Sequence, residues 1–301
     1  MPSNMPLERP GFAGRSTPIR YVAQKRADWL MTERTIALVT GASSGFGRVI
    51  ARRLHQCEYR VFGTSRSKDA VADPGVEMLR LDVRSQDSVQ VCVRTVLDSE
   101  GRIDVLVNNA GITHLSLAEE TDVDEARAVF ETNFFGIVRM TNAVLPAMRA
   151  RKSGRIINVC SLAGLVAIPG QAFYTASKFA LEGYSEALCY EVEPFGIHIS
   201  LIEPGFYRTR LHESIGLEAR RFGDYDCLRE ALNSSIERSF VEGGDPAEVA
   251  EVVVRVAEDR APLLRYRVGS DARWVPVLKG FLPQKAFAIG MRKRFNLRKA
   301  T

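Results

Sequence analysis

The sequence predicts an α/β protein: one domain built on a doubly wound, seven-stranded parallel sheet with helices on both faces. Two observations carry that prediction. Short apolar runs alternate with longer stretches of helical period along most of the chain, as repeated βαβ units require. A glycine-rich turn also joins the first apolar run to the first helical stretch, in TIALVTGASSGFGRVIARRL at 35–54. With 301 residues and 46% hydrophobic content, the chain can bury one large core.

The elements follow in order. Ile36 to Val39 form an unbroken apolar run, which reads as a buried strand over 36–40. Gly41, Gly45 and Gly47 make a tight turn, and a helix over 45–56 carries Val49, Ile50 and Leu54 on one side. A strand at 59–64 closes the first βαβ unit. Further strands are read near 76–81, 104–107, 155–160, 197–203 and 264–268. Helices are read near 86–100, 124–150, 173–192 and 246–259. Right-handed crossovers of that length cover both sheet faces. The strand C-termini then bring the glycine turn, Asn108 to Gly111, Ser161 and Pro204-Gly205 to one edge. Ligands bind at that edge in open α/β sheets. There is no internal repeat and no low-complexity run inside the fold.

Two local patterns carry chemistry. Glycines between a strand and a helix let the backbone approach a pyrophosphate, and the helix's free N–H groups receive its charge. The spacing here is G-x-x-x-G-x-G. A glycine triplet alone means only a turn, but the flanking strand, helix and second strand make this a phosphate site. Tyr174 and Lys178 stand four apart in YTASK, so on a helix they share a face. A free phenol has a pKa near ~10 and is a poor base at neutral pH, and a close cation lowers it. A shift of ~3 units needs about 4 kcal/mol. The product is a proton donor and acceptor suited to alcohol–carbonyl chemistry.

The chain resembles the short-chain dehydrogenase/reductase family, in its compact single-domain branch, from about residue 33 to 295. The motifs arrive in family order: TGASSGFG at 40–47, LDV at 81–83, NNAG at 108–111, N-x-x-G at 133–136, Ser161, YxxxK at 174–178 and PGFYRT at 204–209. EPGFYRT and the late RYRVGSDA are most similar to 17β-hydroxysteroid dehydrogenase-like and retinol dehydrogenase-like members. The resemblance implies a Rossmann fold and a catalytic set of Asn133, Ser161, Tyr174 and Lys178. Tyr174 would move the proton, Ser161 would donate to the developing oxyanion, and Lys178 would hold the nicotinamide ribose. Asn133 would kink its helix and hold a water that links Lys178 to bulk.

The same resemblance implies a dinucleotide cleft. Gly41, Ser43, Ser44, Gly45, Phe46 and Gly47 would hold the pyrophosphate end, Asp82 and Val83 the adenine. Asn109, Ala110, Gly111, Pro204, Gly205 and Thr209 would line the rest, with Thr209 on the carboxamide or as a helix N-cap. Asn108 reads as a strand-locking residue. Ser65 occupies the place where the family usually carries an acid, and Arg66 follows. An arginine fork suits a 2′-phosphate, so NADP(H) is the expected cofactor, with NAD(H) left open. The expected substrate is a small hydrophobic alcohol, ketone or aldehyde of steroid, retinoid or fatty type. A non-catalytic NADP(H)-binding sensor or scaffold is the alternative. An epimerase of the extended branch would show G-x-x-G-x-x-G and a longer substrate domain, and neither is present.

Charge is uneven. The net +5 comprises +3 in the first thirty residues and +8 from Ala272 to the end, leaving −6 on the body. A basic pI here is an end effect, which argues against a nucleic-acid groove. Residues 1–31 are expected to be a leader, a mis-assigned start, a disordered extension or a presequence, and 32–301 the domain. A substrate lid is expected over about 206–243, with His114, Leu115 and Leu162 to Val166 on the opposite wall. The basic segment 272–301 mixes apolar residues with cations; it either lies weakly on a membrane surface or packs beside the pocket. No apolar stretch approaches the ~20 residues of a membrane-spanning helix. The five cysteines form no CxxC pair or metal-ligand pattern, which suits a cytoplasmic, reducing compartment and no metal. Helices near 124–150 and 173–192 are expected to form a homo-oligomer.

Overall fold

The computed structural model describes residues 34–67, 69–71, 73–209 and 221–297, and the fold belongs to the unit Thr35–Thr301. The expected leader at 1–31 lies outside the described residues, as does 210–220 of the expected lid.

Seven strands form the sheet: β1 (Ile36–Val39), β2 (Arg60–Ser65), β3 (Val76–Arg80), β4 (Val105–Asn108), β5 (Gly154–Val159), β6 (Ile197–Pro204) and β7 (Arg265–Val268). Their order is β3-β2-β1-β4-β5-β6-β7, and every neighbouring pair is parallel. The chain therefore winds outward from β1 in one direction and from β4 in the other. The crevice between the ends of β1 and β4 is the switch point.

Nine α-helices are described: α1 (Gly45–Gln56), α2 (Gln86–Glu100), α3 (Val123–Phe130), α4 (Gly136–Arg151), α5 (Ala172–Val192), α6 (Asp226–Val241), α7 (Pro246–Glu258), α8 (Ser270–Phe281) and α9 (Gln284–Arg294). Alternation along β1 shows how they divide. Ala37 and Val39 face one core with Ile50, Leu54, Val249 and Val253 of α1 and α7. Ile36 and Leu38 face the other, with Val93, Val96, Met140 and Leu188 of α2, α4 and α5. A period of two on a strand sends neighbours to opposite faces, so a continuous apolar run serves a sheet covered twice. Helix starts are set locally. Ser85 accepts from the Ser88 amide, Asp122 and Glu125 form a capping box, and Asp245 accepts from Ala247 ahead of Pro246.

Three features differ from the sequence expectation. The helix expected over 124–150, with a kink at Asn133, is divided into two: a π-helical turn at Glu131–Phe135, which contains Asn133, separates α3 from α4. Much of the expected lid is a regular helix, α6. The basic C-terminal segment folds as two further helices, α8 and α9. A polar chain also crosses the second core. Asn108 Nδ2 donates to Asn158 Oδ1 at 2.9 Å, and Asn158 Nδ2 donates to Ser185 Oγ at 2.9 Å. Asn108 is thus the strand-locking residue the sequence proposed.

One buried carboxylate has no such satisfaction. Glu203 on β6 is fully buried, with Arg267 and Arg265 guanidinium nitrogens 3.4 and 3.6 Å from its oxygens. Burial first, then repulsion from Glu182, pushes its pKa up from 4.5 to about 7. The folded protein therefore keeps a proton that the unfolded chain has released. The stability this group contributes is present at low pH and is lost as pH rises through about 7. Glu203→Gln removes the charge, so its stability relative to the parent is expected to rise by about 2 kcal/mol between about pH 5 and about pH 8. Urea melts of both proteins across that range measure it; parallel curves would show that Glu203 does not titrate there.

Candidate active site

The turns after β1 and β4 are built as one unit. Thr40 Oγ1 accepts from the amides of Asn109 and Ala110 at 2.9 and 3.0 Å. Asn109 Nδ2 returns hydrogen bonds to the carbonyls of Thr40 and Gly41 at 2.9 and 3.1 Å. Gly41 and Gly45 have φ of +68° and +53°, which side chains rarely adopt. Gly47 is constrained by space instead: a Cβ there would lie 2.2 Å from the Gly41 carbonyl oxygen. The N-cap Ser44 makes no side-chain capping bond, so the first-turn amides of α1 remain for an anion. Ser43, Ser44 and Phe46 line the same cleft. This cradle fits a pyrophosphate.

The cleft measures about 1180 Å³, above the ~300–1,000 Å³ of ordinary small-ligand pockets. Ser65, Arg66, Asp82, Val83 and Arg84 line one end. The Asp82 carboxylate accepts from Arg84 Nε and Nη2 at 3.0 and 2.7 Å and from the Arg84 amide at 3.0 Å. The Arg84 guanidinium holds its pKa down to about 2. Sequence reasoning singled out Asp82 but missed Arg84, whose signal was adjacency to LDV. Arg66 is exposed at the rim, and Ser65 Oγ accepts from the Ser67 amide at 3.2 Å.

At the other end, β5 delivers Ser161 and α5 delivers Tyr174 and Lys178. Tyr174 and Lys178 are 7% and 6% exposed. Lys178 Nζ donates to the Val159 carbonyl at 3.0 Å and sits 5.8 Å from the Tyr174 ring centroid. Burial lowers the Lys178 pKa. It also pushes Tyr174 up to about 12, against the pull of a hydrogen bond with Ser161. Among the protein's own groups, burial is thus the largest influence on the phenol, and the expected lowering by Lys178 draws also on the positive charge of a bound cofactor. Burial is the largest cause of both shifts, and the ammonium is directed to a backbone carbonyl.

Asn133 sits inside the π turn and is fully buried. Its Oδ1 accepts from the Ile112 amide at 2.8 Å, and its Nδ2 donates to the Ile112 carbonyl at 2.9 Å and to Ser177 Oγ at 3.2 Å. Ser177 Oγ in turn donates to the Tyr174 carbonyl at 2.7 Å. Asn133 thus ties the loop after β4 to the first turn of α5. Neither Ser177 nor Asp271 was singled out by sequence reasoning. Asp271 Oδ2 accepts from the Phe206 amide at 2.9 Å, and a Cβ on Gly205 would strike the same carboxylate. That contact fastens the Pro204-Gly205 turn to α8. Thr209 lines the cleft near Gly45.

Beyond Tyr174 the site is apolar. Tyr174 packs in one cluster with Ile168, Leu232, Ile236 and Phe295, bordered by Leu115, Phe240 and Met291. Phe240 of α6 lines the cleft, and the rest of α6 and the end of α9 pack behind its apolar wall. Gln171 and Thr113 provide a polar spot, 3.4 Å apart. Leu162 and Ala163 line the cleft as expected, but His114 does not. It is buried, and neither ring nitrogen has a hydrogen-bond partner among the described residues. Among those residues no group of side chains could hold a metal ion, and no helix is long and apolar enough to cross a membrane.

Known proteins resemble this chain in sequence and fold. A family model described as short chain dehydrogenase matches residues 35–219. The chain is 38% identical over 269 residues to a 3-ketodihydrosphingosine reductase of Bacteroides thetaiotaomicron, covering 87% of this chain and 98% of that one. Human 17-beta-hydroxysteroid dehydrogenase type 1 is 36% identical over 267 residues, covering 82% and 80%. A solved short-chain dehydrogenase from Streptomyces avermitilis superposes with a TM-score of 0.76 at 36% identity, covering 88% and 98%. A serine dehydrogenase solved with NADP+ gives 0.66 at 27% identity, covering 78% and 94%.

The crowding at Gly47 makes the cradle testable. Gly47→Ala is expected to weaken NADPH binding at least about tenfold, because the turn must open to admit a methyl group. Fluorescence titration with NADPH measures it. Unchanged affinity would show that the cradle does not hold the dinucleotide.

Proposed function

The chain belongs to the short-chain dehydrogenase/reductase family, as an NAD(P)-dependent oxidoreductase acting on CH–OH groups, and we propose that it interconverts a ketone and a secondary alcohol on a large apolar body with NADP(H). The observation that carries this reading is the double membership of Tyr174. Its hydroxyl belongs to the polar end of the cleft, while its ring belongs to the apolar cluster with Leu232, Ile236 and Phe295. An oxygen brought to that hydroxyl arrives on an apolar carrier. Relatives named for a sphingoid ketone and for a 17-hydroxysteroid support the same substrate class.

The nicotinamide supplies or takes up the hydride and, when oxidised, brings a positive charge to the site. The chain's own residues do the rest. Tyr174, protonated at neutral pH and more so for its burial, donates its proton to the substrate oxygen as negative charge grows there. Ser161 donates a second hydrogen bond to that oxygen. Lys178 would hold the ribose hydroxyls of the bound cofactor and, once the phenol has given up its proton, would stabilise the phenolate. Asn133 acts through Ser177 and Ile112 as a positioning residue.

Ser65 in place of a carboxylate, with Arg66 on the rim, supports NADP(H) over NAD(H). The relatives carry dehydrogenase and reductase names, which gives the sensor alternative no support. We assign substrate closure to 206–243, of which α6 is the described helix. Exposed Phe179 and Tyr190 on α5 support assembly with further copies.

Tyr174→Phe is expected to lower NADPH-dependent reduction of apolar ketones by about 10²–10⁴-fold while NADPH still binds. Near-parental turnover would remove Tyr174 as the proton donor. Arg66→Asp is expected to shift the NADPH/NADH preference in kcat/KM by about tenfold or more towards NADH. An unchanged ratio would overturn the cofactor assignment.

A further inference from the structure

The C-terminal hairpin of α8 and α9 has two unlike sides. Its inner side is part of the core: Val275, Phe287 and Met291 pack on Leu162, Val166 and Ala272, and Phe295 joins the cluster around Tyr174. Its outer side is apolar and exposed. Trp274, Leu278 and Phe281 are 66%, 47% and 86% exposed and recur at i, i+4 and i+7, so they share one face of α8. Leu282 and Ile289 extend that surface into α9 at 41% and 68% exposure. No described residue covers it.

The charge around this face is of one sign. From Ala272 to the end the chain carries eight Lys and Arg and no acid, while the body carries −6. Arg273, Lys285, Arg292 and Lys293 are exposed. Lys279 donates to the Leu165 carbonyl at 2.8 Å and so helps pin the hairpin to the body. Tryptophan, phenylalanine and leucine bordered by lysine and arginine is the pattern of a helix lying in the headgroup region of a bilayer.

We propose that the outer side of this hairpin docks on an anionic lipid membrane. Trp274, Leu278, Phe281 and Ile289 enter the boundary between headgroups and acyl chains, and the exposed cations meet the lipid phosphates. A second copy fits this face less well, because a two-fold contact would bring the exposed Arg273, Lys285, Arg292 and Lys293 of each copy against one another. The cleft lies on the inner side of the same hairpin, so an apolar substrate dissolved in the bilayer would pass around α8 and α9 to Tyr174. That last step rests on the substrate class proposed above; the docking surface does not.

The chain has two tryptophans, Trp29 and Trp274, so in a Trp29→Phe background emission reports Trp274. Vesicles of phosphatidylcholine alone and with about a third phosphatidylglycerol are mixed with the full chain, without substrate or cofactor. Co-sedimentation and emission are then read together. Docking is expected to give a blue shift and at least about tenfold stronger partition into the anionic vesicles. Leu278→Ser with Phe281→Ser is expected to reduce that partition about tenfold or more. Replacing Lys285, Arg292 and Lys293 by Glu is expected to abolish the preference for phosphatidylglycerol. Far-UV melting curves confirm that both variants fold.

Three results would overturn the proposal. One is partition that the serine variant leaves unchanged. A second is charge-dependent binding with no shift of Trp274, which means that cations alone hold the vesicle and the apolar face stays in water. The third is a drop in mass by light scattering in the serine variant, which makes the face a contact between copies. Because vesicle binding is read without turnover, its failure leaves the oxidoreductase reading standing.

Discussion

The site depends on two backbone turns being held closer together than any side chain would permit. Gly47 leaves no room for a Cβ against the Gly41 carbonyl, and Asn109 spends its side-chain amide on the carbonyls of Thr40 and Gly41. Thr40 closes the lattice by accepting from two amides of the β4 turn. These bonds fix the crevice between β1 and β4 at the switch point of the sheet. A winding that reverses there leaves the crevice open, because no crossover helix passes over it. The phosphate cradle is thus a consequence of topology, and the glycines are what let the backbone exploit it.

The reacting end is fastened differently. Tyr174 and Lys178 are carried on α5, whose inner face is buried along most of its length. Burying a phenol and an ammonium together raises one pKa and lowers the other, so both are biased towards their neutral forms. That bias has a cost to stability, which the surrounding core must offset. It also has a use: a neutral phenol is a donor rather than a base. Asn133 holds this geometry by reaching from a π turn to Ser177, one residue before Lys178. An extra residue in a helical turn is a local defect, and such turns cluster at functional sites. Here it re-aims an amide that a regular helix would have directed elsewhere.

How much of this was legible follows from how local each signal is. The strand β1 was readable because four consecutive apolar residues suit only a sheet covered on both faces. The cradle was readable because strand, glycine turn and helix are contiguous in sequence. Tyr174 and Lys178 were readable because helical geometry alone puts them on one face. By contrast, Asp271 acts on Gly205 across more than sixty residues, and no local pattern announces that contact. The π turn was invisible to periodicity, since a single widened turn leaves the apolar spacing of α3 and α4 nearly intact. The pull of burial on the Tyr174 phenol was hidden for a similar reason. Proximity to Lys178 can be inferred from spacing, but the depth of burial is a property of the whole packed domain.

The C-terminal segment shows how composition misleads when its two sides are averaged. Residues 272–301 read as a basic, mildly apolar tail, for which packing and surface binding looked like rival explanations. In the folded chain they are two faces of one hairpin. Phe287, Met291 and Phe295 pack behind Leu162, Ala163 and Tyr174, which line the cleft, while Trp274, Leu278 and Phe281 stay outside. The carboxylate of Asp271 ties the start of α8 to the Phe206 amide at 2.9 Å, beside the Pro204-Gly205 turn that borders the cleft. Whatever binds the outer face of α8 therefore bears on an element that also shapes the site. A displacement of α8 large enough to break that bond would leave a buried amide unsatisfied, at about 1–3 kcal/mol. The helix is consequently expected to move with the cleft turn as a unit. Docking through its outer face would then orient the cleft without distorting it.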